Sequence, residues 1–408
     1  MSKKAMNLRV SYAGTVYGKE EIRAVNRVLS DPLHIAAGPN VHEFEAKVAK
    51  LFAKPFGVMV NSGSSANLIS IDVLDLPRGS EVITPALTFS TTLAPLLQFG
   101  LTPVFVDVEM GTYLANIDEI EKKITKKTKA LMIPSLIGNV PDLERLERIA
   151  KKHKLVLIED SCDTLGATFA GKPTGHYTDI STTSFYASHI ITAAGGGGMA
   201  CFKDPMLARR ALLKANWGRE STLYGAYEKS EEIKKRFDNF VNGERYDGKF
   251  IFSEIGYNFQ TTELQGAFGL VQLKRLPHNG KVRAKNFAQL YKFFTQYEHF
   301  FVLPKMHPKV KTNWLAFPLT VAKGAPFTRN DLALYLEKHD IQTRPIFTGN
   351  VLRQPAFKAI AKQQKGSYPV SDYIMQNGIL IGCHHGLTPA HIQRIQEVFS
   401  NFLKEFGE

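Results

Sequence analysis

Short apolar segments alternate with amphipathic segments through the first half of the chain. The apolar segments FGVMV, EVITP, TPVFV, KALMIP and LVLIED are five or six residues long, and segments of helical period such as SSANLISIDVLDL and PDLERLERIAKKHK lie between them. Strands that are apolar throughout are buried on both faces, and their alternation with helices is typical of a parallel sheet covered by helices. The sequence therefore predicts an α/β fold with a large, mostly parallel sheet, in which SFYAS forms a sixth strand.

The pattern changes after about residue 202. Residues 206–216 are predicted to be helical, and residues 262–298 to form one long helix that is broken near Pro277. NWLAFPLTVAK and QTRPIF read as strands, TRNDLALYLEKH and HIQRIQEVFSNFLKEF as helices, and residues 218–255 as a long irregular loop. We expect a large domain over residues 1–275, which includes this loop, and a smaller α/β domain over residues 276–408.

The composition narrows the class of protein. The formal net charge is +13, with basic residues scattered along the chain, so either a solvated surface or attraction to anions explains it. Nucleic-acid binding rests on net charge alone, because there is no zinc-ligand spacing and no basic region with heptads. Three separated cysteines argue against a disulfide framework. MSKKAMNLRV has no apolar signal region and no apolar run reaches membrane-span length, so we expect a cytoplasmic protein.

Three polar motifs follow predicted strands, where a parallel sheet binds its ligands. In SGSSANL, the backbone N–H groups of Gly63 and Ser64 can bind a phosphate at a helix N-terminus, although an ordinary turn with a serine cap fits equally well. In LVLIEDSCD, Asp160 can hold a protonated pyridine nitrogen, or serve as a cap or surface ion pair. In ALTFSTT, Phe89 can stack on a planar ring, or pack in the core.

The fourth motif, SFYASHIITAAGGGGMA, combines aromatic residues, a glycine-rich turn and one reactive side chain, His189. The nearest lysines along the chain are Lys172 and Lys203. An imidazole titrates near neutral pH and can act as a general base. A lysine side chain can act as a base near this pH only if its pKa is lowered. The alternative interpretation is that His189 is a structural histidine in an inactive site.

The order of these motifs resembles the sugar aminotransferases of the DegT/DnrJ/EryC1/StrS type, which use pyridoxal phosphate and share the aspartate aminotransferase fold (fold type I). The resemblance runs through almost the whole chain and includes TPVFVDV and GYNFQTTELQGAFGLVQL. It implies a large sheet domain with a smaller C-terminal α/β domain, and a homodimer. The cofactor-binding residues that it implies are Gly63, Ser64, Phe89, Asp160, Asp163, Ser184 and Asn258. Of these, Asn258 would reach the phosphate of the neighbouring subunit.

His189 stands where this family usually has its Schiff-base lysine. One branch, the sugar 3-dehydratases of the colitose and ascarylose pathways, carries histidine there, and SGSSANL, EDSCD and GNVLRQPAF also resemble that branch. The resemblance implies that pyridoxamine phosphate binds without a covalent bond and that His189 is the base. The implied substrate is a nucleotide-linked 4-keto-6-deoxyhexose that loses its 3-hydroxyl, with glutamate regenerating the amine. The implied substrate-binding residues are Arg219, Arg245, Arg344, Asn350 and Arg353.

The iron–sulfur members of this branch need four cysteine ligands for their cluster. Cys162 matches the first ligand, but Ser221 and Leu223 stand at the next two positions and residues 202–382 contain no cysteine. We therefore expect no iron–sulfur cluster. The alternatives are a sugar aminotransferase that uses another lysine and an inactive aminotransferase scaffold that acts as a binding protein.

Overall fold

The structure is a computed structural model, and it describes residues 8–31, 35–224, 232–364 and 366–407. The strands of the first half are β1 Phe56–Val60, β2 Glu81–Pro85, β3 Thr102–Val106, β4 Thr128–Pro134, β5 Val156–Asp160, β6 Thr168–Phe169, β7 Lys172–Pro173, β8 Ile180–Ser184 and β9 Gly198–Phe202. The helices of this half are α1 Lys19–Leu29, α2 Pro39–Leu51, α3 Gly63–Asp72, α4 Ser90–Gln98, α5 Ile117–Lys123, α6 Leu143–His153 and α7 Pro205–Ala215.

Seven of these strands form one sheet in the order β1-β9-β8-β5-β4-β2-β3. The five strands from β8 to β3 are parallel, whereas β9 runs antiparallel to both β8 and β1. The expected α/β fold with a mostly parallel sheet is therefore confirmed. The carboxyl ends of β5 and β8 lie at the same edge of the sheet, and this edge carries Asp160 and Ser184.

The sixth strand was misplaced by the sequence pattern. SFYAS shares only Ser184 with β8, whose sequence ISTTS is polar but buried at every position. Hydroxyl groups that bond inside the protein can be buried in a central strand, so apolarity did not mark β8. The expectation of a turn also missed β9, whose sequence GMACF begins at the last of the four glycines, Gly198.

Alternate residues of the central strands feed two hydrophobic cores. Val82 and Met132 pack on one face with α3, α4 and α7, and Ile83 and Leu131 pack on the other face with α5 and α6. This alternation follows from the two-residue period of a strand and explains why each strand is apolar throughout. The two layers of helices hold the sheet edge that carries the polar motifs.

The second half of the chain adds a smaller sheet. The strands of this half are β10 Asn239–Val241, β11 Glu244–Tyr246, β12 Phe301–Val302, β13 Val310–Lys311, β14 Phe317–Val321, β15 Arg344–Pro345 and β16 Gly378–Ile381. Its helices are α8 Ile233–Phe237, α9 Glu263–Phe294, α10 Arg329–Lys338, α11 Lys358–Ala361, α12 Pro369–Asn377 and α13 Pro389–Lys404. Strands β12, β14, β16 and β15 pair antiparallel in that order, and a core that includes Phe294, Phe317 and Phe399 packs against them.

Several expectations for this half are wrong in detail. Helix α9 continues through Pro277 without the expected break, because one lost backbone bond is tolerable in a 32-residue helix that packs on α1 and α2. The expected loop 218–255 contains α8 and the hairpin of β10 and β11, while its residues 225–231 lie outside the described ones. The division at residue 275 remains a prediction, and α9 runs through it.

Among the described residues, no helix combines the length and the apolarity that are needed to span a bilayer.

Candidate active site

The carboxylate of Asp160 is the best-ordered polar group at the ligand edge of the sheet. It ends β5, is 6% exposed, and its Oδ2 accepts hydrogen bonds from Asn67 Nδ2 at 2.8 Å and Thr92 Oγ1 at 2.7 Å. The backbone N–H of Cys162 donates to Oδ1 at 3.2 Å. Asp160 is thus held by residues of α3, α4 and its own loop. Its buried negative charge favours a cationic partner, such as a protonated ring nitrogen.

The turn between β1 and α3 lies directly against the end of β8. A Cβ on Gly63 would stand 2.7 Å from Ser184 Cβ and 2.9 Å from Cys162 Sγ, so only glycine fits without a shift. Ser62 caps α3 by accepting from the backbone N–H of Ser65 at 3.1 Å. The earlier N–H groups, at Gly63 and Ser64, are the ones that helix geometry leaves without partners. This turn can therefore bind an anion, with the Ser184 hydroxyl beside it.

His189 lies in the turn that leaves β8. The turn is closed by the bond from His189 N to Tyr186 O at 3.0 Å and by that from Thr192 Oγ1 to Phe185 O at 3.0 Å. The exposed ring of Tyr186 stands edge-on to the imidazole, with 5.9 Å between ring centroids. Nδ1 of His189 is buried and has no hydrogen-bond partner among the described residues. A buried nitrogen without a partner is a feature of a site built for a ligand or a proton.

Burial lowers the pKa of His189 to about 4, and the negative charge of Asp160 opposes this effect. The imidazole is therefore neutral at pH 7 and keeps a lone pair that can accept a proton. Asp163 shows the opposite shift, because burial raises its pKa to about 7 and the hydrogen bond from Ile137 N opposes the rise. That bond, 2.9 Å to Oδ2, also ties Asp163 to the loop after β4.

Phe89 lies at the junction of β2 and α4 with 47% of its surface exposed. Its ring meets the edge of Phe347 at 6.2 Å between centroids, so the segment after β15 covers part of it. That segment is docked on the same loop, because Val351 N donates to Ala86 O at 2.8 Å. An exposed aromatic face beside Asp160 and the anion-binding turn can stack on a planar ring.

Three lysines near β8 lie at the opposite edge of the sheet from His189. Lys203 follows β9 and donates from its backbone to Asp179 O, just before the start of β8. Lys172 and Lys203 both contact His176, at 3.1 and 3.0 Å. The buried Lys54 has its pKa lowered by burial to about 7, but its Nζ donates to Gly175 O at 2.6 Å on that same edge. None of the three can reach the carboxyl ends of β5 and β8.

The structure does not bring all the expected substrate-binding residues to this site. Asn350 is fully buried, and its Nδ2 donates to Asp372 Oδ1 at 2.7 Å. Arg353 pairs with both oxygens of the same Asp372 at 2.8 and 2.6 Å. Asn350 and Arg353 therefore hold the segment after β15 in place. Arg344 is exposed, with its guanidinium 5.6 Å from the ring of Tyr12, and its side chain donates a hydrogen bond to Thr343 O.

The two other expected substrate-binding residues, Arg219 and Arg245, lie near the segment that follows α7, and so does Asn258, which was expected to bind the cofactor. Arg219 stands 4.8 Å from the ring of Trp217 and its Nε has no partner among the described residues. Arg245 is exposed on β11, 5.9 Å from the ring of Phe240. Asn258 is also exposed, and its one side-chain bond is a 3.4 Å contact from Gln260 N. These groups are free to meet a ligand or a second subunit.

Three residues of the site were not expected from the sequence. Asn67 and Thr92 bind Asp160, and Arg283 of α9 donates to the carbonyl oxygen of His189 at 3.3 Å. Asn67 lies one helical turn after Gly63, so the helical period of SGSSAN places both on one side of α3. No pattern distinguishes Arg283 from the other basic residues of α9.

The three free cysteines do not gather into a cluster site. Cys201 and Cys383 are buried, and Cys162 lies next to Asp160, where burial and the carboxylate raise the pKa of its thiol well above the usual value. Among the described residues, no group of three or more histidine, cysteine or acidic side chains is placed to hold a metal ion.

Comparisons with known proteins agree with the fold. A model of the DegT/DnrJ/EryC1/StrS aminotransferase family matches residues 16–400. The chain is 37% identical over 381 residues to a dTDP-4-dehydro-2,6-dideoxy-D-glucose 3-dehydratase of Saccharopolyspora spinosa, which covers 91% of this chain and 82% of that protein. It is 35% identical over 400 residues to the lipopolysaccharide biosynthesis protein RfbH of Salmonella typhimurium, covering 96% of this chain and 91% of that one.

Among solved structures, a GDP-4-keto-6-deoxymannose-3-dehydratase with a trapped PLP-glutamate geminal diamine superposes with a TM-score of 0.82 at 27% identity. The match covers 95% of this chain and 99% of that one. A family model that spans nearly the whole chain, together with relatives above 30% identity, establishes the membership. The chain belongs to the DegT/DnrJ/EryC1/StrS aminotransferase family.

Proposed function

We propose that this protein is a pyridoxal- or pyridoxamine-phosphate-dependent 3-dehydratase of a nucleotide-linked 4-keto-6-deoxyhexose. The observation that carries the proposal is the position of His189 in the turn after β8, beside Asp160 and Ser184, while Lys172 and Lys203 lie at the other edge of the sheet. The similarity to two 3-dehydratases of nucleotide-linked keto sugars supports the same substrate class.

The chemical types of the residues at the sheet edge support this cofactor. The turn at Gly63 and Ser64, with the Ser184 hydroxyl, would hold the phosphate. Phe89 would cover one face of the ring, and Asp160 would bind the ring nitrogen and keep it protonated. Asp163, tied to Ile137, would support the same end of the site. When bound, pyridoxamine phosphate supplies an amine for the sugar ketone and a ring that accepts electrons.

His189 accepts a proton in this proposal, because its imidazole is neutral at pH 7 and has a free nitrogen. The protonated imidazole then faces the leaving 3-hydroxyl as a general acid. The N-terminal segment is attached to the same turn, because the Thr15 hydroxyl donates to Ala187 O at 2.8 Å. Glutamate is the proposed reductant: a keto sugar and glutamate give the 3-deoxy keto sugar, 2-oxoglutarate and ammonia, which balances atoms and electrons.

A homodimer is part of the proposal. The segment from Ile233 to Ile255 exposes several large apolar side chains, and Ile255 itself is 92% exposed. Such a concentration of exposed apolar side chains in one segment is more typical of an interface than of a solvated surface. Within the dimer, Asn258 would reach the phosphate of the neighbouring site, and Arg219, Arg245 and Arg344 would bind the diphosphate of the sugar nucleotide.

The test is incubation of the purified protein with GDP- and CDP-linked 4-keto-6-deoxyhexoses, pyridoxamine phosphate and glutamate. Mass spectrometry should show loss of the C3 oxygen and formation of 2-oxoglutarate. His189→Asn should lose at least about a hundredfold of the rate, whereas His176→Asn at the opposite edge should keep it. An amino sugar as the main product would instead identify an aminotransferase, and a covalent pyridoxyl-lysine peptide after borohydride reduction would contradict the histidine mechanism.

A second measurement addresses the iron–sulfur alternative. Only Cys162 matches a ligand position of the cluster-containing relatives, and its thiol is protonated because burial raises its pKa. We therefore propose that glutamate alone supplies the electrons. Iron analysis of protein purified without oxygen should find none, and about two irons per chain would overturn this part.

A further inference from the structure

Arg283 is a fully buried cation under the turn that carries His189. It lies on α9, is 1% exposed, and forms no ion pair with any carboxylate among the described residues. Its Nη1 donates to Trp314 O at 3.0 Å and to Leu315 O at 3.1 Å. Its Nε donates to His385 Nδ1 at 3.2 Å, and its Nη2 to His189 O at 3.3 Å. Arginines are almost never fully buried unless they are paired, so this arrangement requires a reason.

The hydrogen bonds of Arg283 exclude a direct role in binding an anionic ligand. A guanidinium has five N–H groups, and carboxylates or phosphates bind to a pair of parallel ones. Four of the five are used by acceptors of the protein itself. One remaining N–H cannot form the two-point contact, so Arg283 acts on its neighbours within the protein.

We propose that Arg283 is the residue that positions His189 and, as a buried cation beside it, disfavours the protonated form of its imidazole. The bond to the His189 carbonyl joins the turn after β8 to α9 and, through Trp314 and Leu315, to the segment before β14. This inference rests on the proposed role of His189 as the base. A base that is displaced or already protonated cannot take up the proton.

The charged and titratable groups that face His189 agree with this role. Burial lowers the pKa of His189 most, and Arg283 on α9 also lowers it. Asp160 at the end of β5 and hydrogen bonds to the backbone of Ser184 and Cys162 raise it. The Cys162 thiol beside Asp160 is protonated and adds no charge. Arg283 also lowers the pKa of His384 and His385, whose values of about 4 and about 3 result mainly from burial. One cation thus opposes protonation of three imidazoles, while Asp160 favours protonation of His189.

The test is NMR titration of the His189 imidazole in the full-length protein labelled at histidine, with the signal assigned from the His189→Asn spectrum. Arg283→Met should move the titration toward neutral pH by about one pH unit, because one of the two causes that lower the pKa is lost while the charge of Asp160 remains. The control is Arg275→Met, which removes an arginine of the same helix that pairs with Glu20 and Glu21, and it should leave the titration unchanged. An unchanged titration in Arg283→Met would overturn the electrostatic part.

Arg283→Lys separates charge from position. Lysine keeps the cation but cannot reach the same four acceptors, so the titration should stay near that of the wild type while kcat falls about tenfold with little change in KM. An unchanged kcat would overturn the positioning role, and this variant carries the test if Arg283→Met does not fold. The titration needs no substrate: a wild-type protein without dehydratase activity but with the Arg283-dependent titration would reject the proposed function and leave the effect of Arg283 on His189 in place.

Discussion

Asn67 donates a hydrogen bond of 2.8 Å from its side-chain nitrogen to Oδ2 of Asp160, which joins α3 to the carboxyl end of β5. The orientation of this amide is set on its other side, where Thr182 Oγ1 donates to Asn67 Oδ1 at 2.6 Å. The chain Thr182, Asn67 and Asp160 therefore fixes the carboxylate that we propose binds the ring nitrogen.

Replacement of Asn67 by alanine should weaken cofactor binding about tenfold, because Asp160 loses one of its two side-chain donors and becomes less well oriented. Titration of the protein with pyridoxamine phosphate or pyridoxal phosphate, followed by absorbance, measures the change. Asn330→Ala, on the exposed first turn of α10, is the matched control and should bind as the wild type does. Equal affinity of Asn67→Ala and wild type would show that Asp160 needs no such support.

Gly63→Ala should destabilise the protein by about 2 kcal/mol and weaken binding of the cofactor phosphate. The new methyl group would meet Ser184 Cβ at 2.7 Å, and relief of that contact moves either the anion-binding turn or the end of β8. Urea unfolding and the same absorbance titration give the two quantities. Gly196→Ala is the stability control, because the nearest atom to its Cβ would be 3.8 Å away. A Gly63→Ala protein as stable as the wild type would mean that the close contact relaxes freely.

The sequence predicted the sheet edge well because the polar motifs directly follow apolar strands. FGVMV, LVLIED and EVITP are strands in the structure, and the chain direction of parallel strands then places Gly63, Asp160 and Phe89 at one edge. Periodicity also placed α6 and α13 close to their observed bounds.

The parts that could not be predicted depend on pairing between distant segments. β8 is buried but polar, and β15 has only two residues. β16 lies between β14 and β15 in the small sheet and pairs with both. Arg283 lies far from His189 in the chain, and only the packing of α9 under the turn reveals the contact. Likewise, nothing in QTRPIFTGNVLRQP showed that Asn350 and Arg353 would be occupied by Asp372.

The stability of the cofactor-free protein should fall as the pH rises from about 4 to about 7, in part because of Asp163. Burial raises its pKa to about 7, so in this range the folded protein holds a proton that the unfolded chain has released. This contribution to stability is complete below the pKa of the unfolded state and is lost as the pH passes the folded value.

Asp163→Asn removes this pH-dependent contribution to stability, while the amide oxygen can still accept the hydrogen bond from Ile137 N. The variant should match the wild type near pH 4 and exceed it at pH 8 by up to a few kcal/mol, since one pKa unit corresponds to about 1.4 kcal/mol. Urea unfolding at both pH values measures the difference. A constant gap between the two proteins at all pH values would show that Asp163 titrates normally.

The proposed dimer predicts that two inactive variants restore activity when they share one dimer. His189→Asn removes the base, and Asn258→Ala removes the side chain that we propose enters the neighbouring site. In a mixed dimer, one site combines the intact His189 of one subunit with the intact Asn258 of the other, so about half of the wild-type kcat should return. Co-expression with two different affinity tags isolates the mixed dimer for the rate measurement. If Asn258 instead served its own subunit, both sites would carry a defect and the mixed dimer would be no faster than its parents.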